Sequence, residues 1–255
     1  MRYFMFLEYD GTDYHGWQVQ PRFMSVQQRI QEAFHMFLRV DVKVTAAGRT
    51  DTGVHARNMA AHFDLDEPQD CNWMKQKLNG ILPVDIAVHS IVPVRPDAHA
   101  RFDARSRTYR YYMSNEKSSF LKGYVWYTIN KPDYELMNKA AAMLPEFVDF
   151  TSFSKLHTDT KTNDCKVTRA EWIRRDDGIW VFTITADRFL RNMVRAIVGT
   201  LMKVGRHQIT VDEFRQIILK KDRCSAGDSA PACGLFLEEI VYPDEIFQID
   251  DNNDR

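Results

Sequence analysis

Residues 168–186 read TRAEWIRRDDGIWVFTITA. Two strand-like runs, 168–175 and 179–186, flank Asp176-Asp177-Gly178, and Asp-Gly in that position is a strong signal for a tight turn between paired strands. The segment therefore predicts an antiparallel hairpin. Parallel strands need long crossover connections, which this spacing does not provide. Helices that share the chain with hairpins of this kind argue for an α+β fold rather than a parallel doubly wound sheet.

Working outward supports that class. A strand over 2–9 is ended by Asp10-Gly11-Thr12, where Gly accepts positive φ and Asp bonds its own backbone, and a loop with His15, Gly16 and Trp17 follows. Ser25 opens a helix with Gln28 in capping-box position, and Val26, Ile30, Phe34 and Phe37 recur on one face. Strands are expected over 43–47 and 56–65, a helix over 73–82 and a strand over 86–94. The first half thus runs β-loop-α-β-β-α-β. Composition shifts around Pro93, Pro96 and Asp97. We therefore divide the chain into halves at 1–104 and 105–243, with an acidic polar tail at 244–255 read as a flexible, solubilising end. The second half is expected to contain a strand at 107–114, helices at 134–144, at 191–204 and from Thr210, and a closing strand at 235–242.

The chain has 255 residues, 44% hydrophobic and 12% aromatic, which is ample for a buried core. Its net charge of −1 does not look like that of a nucleic-acid binder. The tail, however, holds five acids and one base, so residues 1–243 carry 33 basic against 30 acidic groups. Local arginine clusters matter more than the sum. Cys71, Cys165, Cys224 and Cys233 form no C-x-x-C pair, and the eight histidines show no zinc-site spacing. No metal and no cofactor is expected. The N-terminus lacks the apolar core of a signal peptide and no apolar run reaches spanning length, so a cytoplasmic protein with no membrane association is expected.

Three constellations could carry chemistry. The loop GRTDTGVH at 48–55 sets Arg49, Asp51 and His55 within a few residues, bracketed by Gly48 and Gly53. A carboxylate there can act as a covalent nucleophile towards a sugar carbon, and a nearby Arg favours its ionised form. The same residues also suit a decorated turn, with Arg49 and Asp51 as a surface ion pair and His55 a packed histidine. The second is HARFDARSRTYRYY at 99–112. On a strand, Arg107, Tyr109 and Tyr111 share a face, so cations and stacking surface suited to unpaired RNA bases lie together. A half-buried strand with core tyrosines and solvated arginines fits equally. The third is RFLRNMVR at 188–195, where helical spacing puts Arg191 and Arg195 on one side. A solvated helix face is the alternative.

AGRTDTGVHA at 47–56 resembles the catalytic motif of the tRNA pseudouridine synthases that act on the anticodon stem-loop, the A family. So do YDGTDYHGWQVQ at 9–20, LNGILPVDI at 78–86, AHARFDA at 98–104, RTYRY at 107–111, FLRNMVRAIVG at 189–199 and APACGLFL at 230–237. Departures are Asn58-Met59, where relatives often have Gly-Gln, and a polar, irregular stretch at 155–165. The resemblance implies two ferredoxin-like halves, a mainly antiparallel sheet and a central active-site cleft. It implies that Asp51 is the nucleophile, Arg49 its ion-pair partner, Tyr109 the tyrosine against the target base, Arg195 a polar contact and Leu237 packing. Arg57, Arg101, Arg105, Arg107, Arg110 and Arg191 are candidate RNA contacts. A homodimer binding tRNA, with uridines at positions 38 to 40 as targets, is likewise implied.

Overall fold

The structure, a computed structural model, describes residues 1–155 and 162–248. Most of the irregular stretch noted at 155–165, and the tail from 249, lie outside the described residues. Nine strands and five α-helices are present among those described, with the strands paired mainly antiparallel. The chain divides into two compact units, one of Met1–Arg105 together with the chain from Leu237 onward, the other of Ser106–Phe236.

The first unit begins with β1 (Arg2–Tyr9), α1 (Val26–Leu38), β2 (Thr45–Ala46), β3 (His55–Asp64), α2 (Cys71–Ile81) and β4 (Ile86–Pro93). β1 lies between β3 and β4, antiparallel to both, so that Met5 faces Ala61 on one side and Ile91 on the other. Phe4, Met5 and Leu7 are consequently buried. Helix α1 presents Val26, Ile30, Ala33 and Phe34 to this sheet, and Phe34 meets Phe63 with ring centroids 4.7 Å apart. Phe37, at the margin of that face, sets its ring edge-on to Trp73 of α2. The Ser25 cap forms as expected, accepting from the Gln28 amide, but the Gln28 side chain bonds Glu32 instead of reaching back. Only half the capping box is made.

The second unit carries β5 (Ser106–Ser114), β6 (Trp126–Tyr127), α3 (Tyr134–Ala141), β7 (Val167–Arg174), β8 (Trp180–Ala186), α4 (Met193–Gly205) and α5 (Val211–Lys220). The hairpin read from 168–186 is present as β7 and β8. Its loop closes through Gly178 N–H to Arg175 O at 3.0 Å and Arg175 N–H to Ile179 O at 2.9 Å, with Gly178 at φ +83. The turn thus takes one residue more from each strand than the sequence suggested. β8 also pairs with β5, which aligns Tyr111, Phe182 and Trp172 across three strands, and all three are buried. Helix α4 buries Ala196, Ile197, Val198 and Leu201. α3 stops at Ala141, and Pro145 sits in the short 3₁₀ turn Leu144–Glu146 that follows.

Helix α5 opens with a complete capping box, Thr210 Oγ1 accepting from Glu213 N–H and the Glu213 carboxylate accepting from Thr210 N–H. Thr210→Ala removes an acceptor that one of the four unpaired N-terminal amides needs. It is expected to lower stability by about 1 kcal/mol in urea denaturation, with the slope of the transition unchanged.

The last strand, β9 (Leu235–Val241), departs from the sequence-based division. From Leu237 it belongs to the first unit, where it neighbours β3. Residues 244–247 are not tail. They form a 3₁₀ turn that buries Ile246, bonds Arg95 N–H through Ile246 O and sets Phe247 against Phe4 and Phe6. The apolar pair Ile246 and Phe247 explains this, since an acidic count over the tail hides two residues with surface to bury.

Candidate active site

The loop between β2 and β3 is held from beneath by the turn that follows β1. Thr50 is buried, and its Oγ1 lies 2.9 Å from the Tyr9 hydroxyl. Trp17 N–H donates to Thr50 O, Gly53 N–H to Tyr14 O, and Val54 N–H to Asp51 O, which closes a turn on the residue of interest. The His55 side chain is 1% exposed, and its Nδ1 accepts from Gly11 N–H at 3.0 Å. Asp10 Oδ1 is also 3.0 Å from that nitrogen. His55 is thus held between the Gly11 amide and the Asp10 carboxylate, as a structural residue at the foot of the loop.

Two glycines make this contact possible. A Cβ on Gly11 would lie 2.0 Å from Val54 O, and one on Gly16, which has φ +83, would lie 2.4 Å from Thr50 O. Both turns therefore pack backbone on backbone. Asp51 emerges half-buried at the top of this support and Arg49 exposed beside it. The motif implies an ion pair between Arg49 and Asp51. The loop turns Thr50 inward and leaves Arg49 in water.

Tyr9→Phe removes the bond that anchors Thr50. The expected result is a loss of about 1 kcal/mol in thermal or urea unfolding, because a buried hydroxyl is left without its partner. Turnover should fall further than stability does.

Of the other candidates in this unit, Arg57 on β3 reaches Glu238 of β9 at 3.3 Å, and Leu237 is buried next to it in sequence. Arg101 and Arg105 lie on the segment after β4. Arg101 sits over the Phe102 ring, and Arg105 approaches Glu245 at 3.6 Å.

In the second unit, β5 carries Arg107, Tyr109 and Arg110. Arg107 donates to Asp187 O at 2.6 Å, and half-buried Tyr109 meets Phe189 edge-on with centroids 5.1 Å apart. Tyr111 and Tyr112 are buried, and the Tyr111 hydroxyl donates to Pro231 O. The expected shared face is therefore reduced to Arg107 and Tyr109, with Tyr111 in the core. Arg110 is exposed.

Arg191 and Arg195 do not share a helix face. Asn192 takes φ +67 and caps α4, so the helix begins at Met193 and Arg191 lies outside it, exposed. Asn tolerates this left-handed conformation better than most residues. Arg195 Nε donates to Ala230 O at 2.7 Å while Ala230 N–H donates to Arg195 O. Gly199, one turn on, admits the same loop closely, since a Cβ there would lie 1.7 Å from Asp228 O.

Tyr9, Thr50 and Phe189 were missed as site residues. Gly11 and Gly16 so soon after a strand were the available signal for the first two. Among the described residues no cluster of three or more His, Cys, Asp or Glu is placed to hold a metal, and no helix is long and apolar enough to cross a membrane.

The first unit thus carries a half-buried carboxylate on a clamped loop, and the second an aromatic ring with arginines near it in sequence. The family described as tRNA pseudouridine synthase matches this chain over residues 5–103 and 147–243. A protein named tRNA pseudouridine synthase A from Bacteroides fragilis is 56% identical over 248 residues, covering 97% of this chain and 98% of its own length. Proteins of the same name from Parabacteroides distasonis and Porphyromonas gingivalis are 55% and 54% identical over 251 and 249 residues, covering 98% and 96% of this chain and 99% of each relative. The chain belongs to the tRNA pseudouridine synthase family.

Proposed function

We propose that this chain isomerises uridine to pseudouridine in tRNA, with Asp51 as the nucleophile. The observation that carries the reading is the half-buried Asp51 at the crest of a loop fixed by Tyr9, Gly11 and Gly16, in a chain similar over nearly its whole length to relatives named for this activity. Fixed geometry is what a nucleophile needs, because reacting atoms must be held about 3–3.5 Å apart.

The target base leaves its stack, at a cost on the order of a few kcal/mol that stacking and basic contacts offset. Asp51 attacks the nucleoside, the N1–C1′ bond breaks, and uracil turns so that C5 bonds C1′. The proton on C5 is released, N1 gains one, and Asp51 is freed. Uracil departs as a delocalised anion, so the reaction has less need of a strong general acid than hydrolysis of a sugar alkoxide does. A single carboxylate suits that chemistry.

The remaining roles follow the family motifs residue by residue. Tyr109 lies against the base, Arg195 makes a polar contact and Leu237 packs beneath. Arg49 is the ion-pair partner that keeps Asp51 ionised, and Arg57, Arg101, Arg105, Arg107, Arg110 and Arg191 serve as cations for the RNA. Two ferredoxin-like halves with a central cleft belong to this reading, supported in the first unit by its order β1-α1-β2-β3-α2-β4. So do targets at positions 38 to 40 and a homodimer, which rest on the resemblance, and a cytoplasmic setting, which rests on the reading of the sequence. Tritium release from tRNA transcripts labelled at uridine C5 tests the activity. Free uracil among the products would make the chain a hydrolase instead, and sedimentation reads the dimer.

A further inference from the structure

We infer that Phe102 is a stacking platform for an unpaired base of the RNA substrate, set apart from the Asp51 loop. This rests on the proposed tRNA substrate. Phe102 is 73% exposed, and leaving such a ring in water forfeits most of what burial would contribute. An exposed ring on a loose turn would mean little, but this one is mounted.

The Phe102 ring lies against His99, centroids 4.3 Å apart, and His99 in turn meets His62 edge-on at 4.5 Å. The backbone beneath is tied at nearly every residue. Arg2 donates to Ala98 O, Asp103 Oδ2 accepts from His99 N–H, His62 Nδ1 accepts from Ala100 N–H and the Tyr242 hydroxyl donates to Ala100 O. His99 Nδ1 accepts from Arg101 N–H at 3.1 Å and from Phe102 N–H at 3.4 Å, so the ring that supports Phe102 also fixes its backbone. Burial lowers His62 to about 4, and burial also lowers His99, so both rings are neutral near pH 7. A neutral stack suits a nucleobase. The Arg101 guanidinium, 5.7 Å from the Phe102 centroid, adds the cation that accompanies stacked bases in single-strand recognition.

Position separates this platform from the chemistry. His55, at the foot of the Asp51 loop, and His62, under the platform, stand seven residues apart on β3. That is roughly 23 Å of extended strand. A contact so far from the reacting base strengthens binding of substrate and transition state alike, so its loss moves KM and leaves kcat.

Phe102→Ala is expected to raise the Kd for a fluorescent tRNA transcript roughly tenfold and to raise KM in the tritium-release assay similarly, with kcat unchanged. The slope of log Kd against log salt should hold, since no phosphate contact is lost. Phe102→Trp should restore affinity and show tRNA-dependent quenching beyond that of the wild type, a readout that stands even if Phe102→Ala fails to fold. Wild-type affinity in Phe102→Ala, no restoration and no added quenching in Phe102→Trp, or weakened self-association with unchanged tRNA affinity would each overturn the assignment. Tritium release by the wild type reports separately on the proposed reaction.

Discussion

Asp51→Asn is expected to lower tritium release from C5-labelled tRNA by at least about 10³-fold, which corresponds to roughly 4 kcal/mol on the barrier. Asn nearly matches the shape of Asp but has neither its charge nor its nucleophilicity. The loop should be little disturbed. Three of the bonds that hold it, Thr50 on Tyr9, His55 on Gly11 and the backbone bond from Val54 to Asp51 O, do not use the Asp51 carboxylate. An unchanged unfolding transition with turnover near wild type would remove Asp51 from the chemistry, whatever the family motif implies.

Gly11→Ala tests the support of the loop rather than Asp51 itself. The new Cβ would lie 2.0 Å from Val54 O and 2.6 Å from Val54 C, both backbone atoms that no side-chain rotation can clear. The two turns must part, which is expected to destabilise the protein by about 3 kcal/mol. A shift of the loop by about 1 Å should also lower turnover on the order of 100-fold. Gly48→Ala, in the same loop, is the control. Nothing lies within 4 Å of the Cβ it would add, so its stability should stay within about 1 kcal/mol of wild type. If the two variants melt alike, backbone contact at Gly11 is not what fixes the loop.

The features legible in the sequence are those written in adjacent residues. The hairpin at β7 and β8, the Ser25 and Thr210 caps, the apolar face of α1 and the span of β1 depend on short-range spacing and occur where that spacing puts them. The support of Asp51 depends on Tyr9, 41 positions from Thr50, and no local pattern carries such a pairing. RTYRYY at 107–112 looks the same whichever tyrosines are buried, and the strands paired with β5 sink Tyr111 while Tyr109 remains half-buried. Arg191 and Arg195 have helical spacing, but Asn192 interrupts it by a single backbone angle. The partner of β9 was illegible for a similar reason, since a strand's alternation specifies its faces and not its neighbours.

That last strand has a consequence for how the protein is made. The first unit is interrupted by residues 106–236, so 131 residues must be translated between Arg105 and the segment that lies beside β3. At about 5–20 residues per second, the ribosome leaves the part of that β3 edge beyond β2 uncovered for on the order of ten seconds. An unpaired strand edge is a template for the wrong partner. Pulse-labelled nascent chains should therefore be protease-sensitive in their first hundred or so residues until the C-terminal strand has emerged. The half that bears Asp51, though synthesised first, is then the later of the two to become complete.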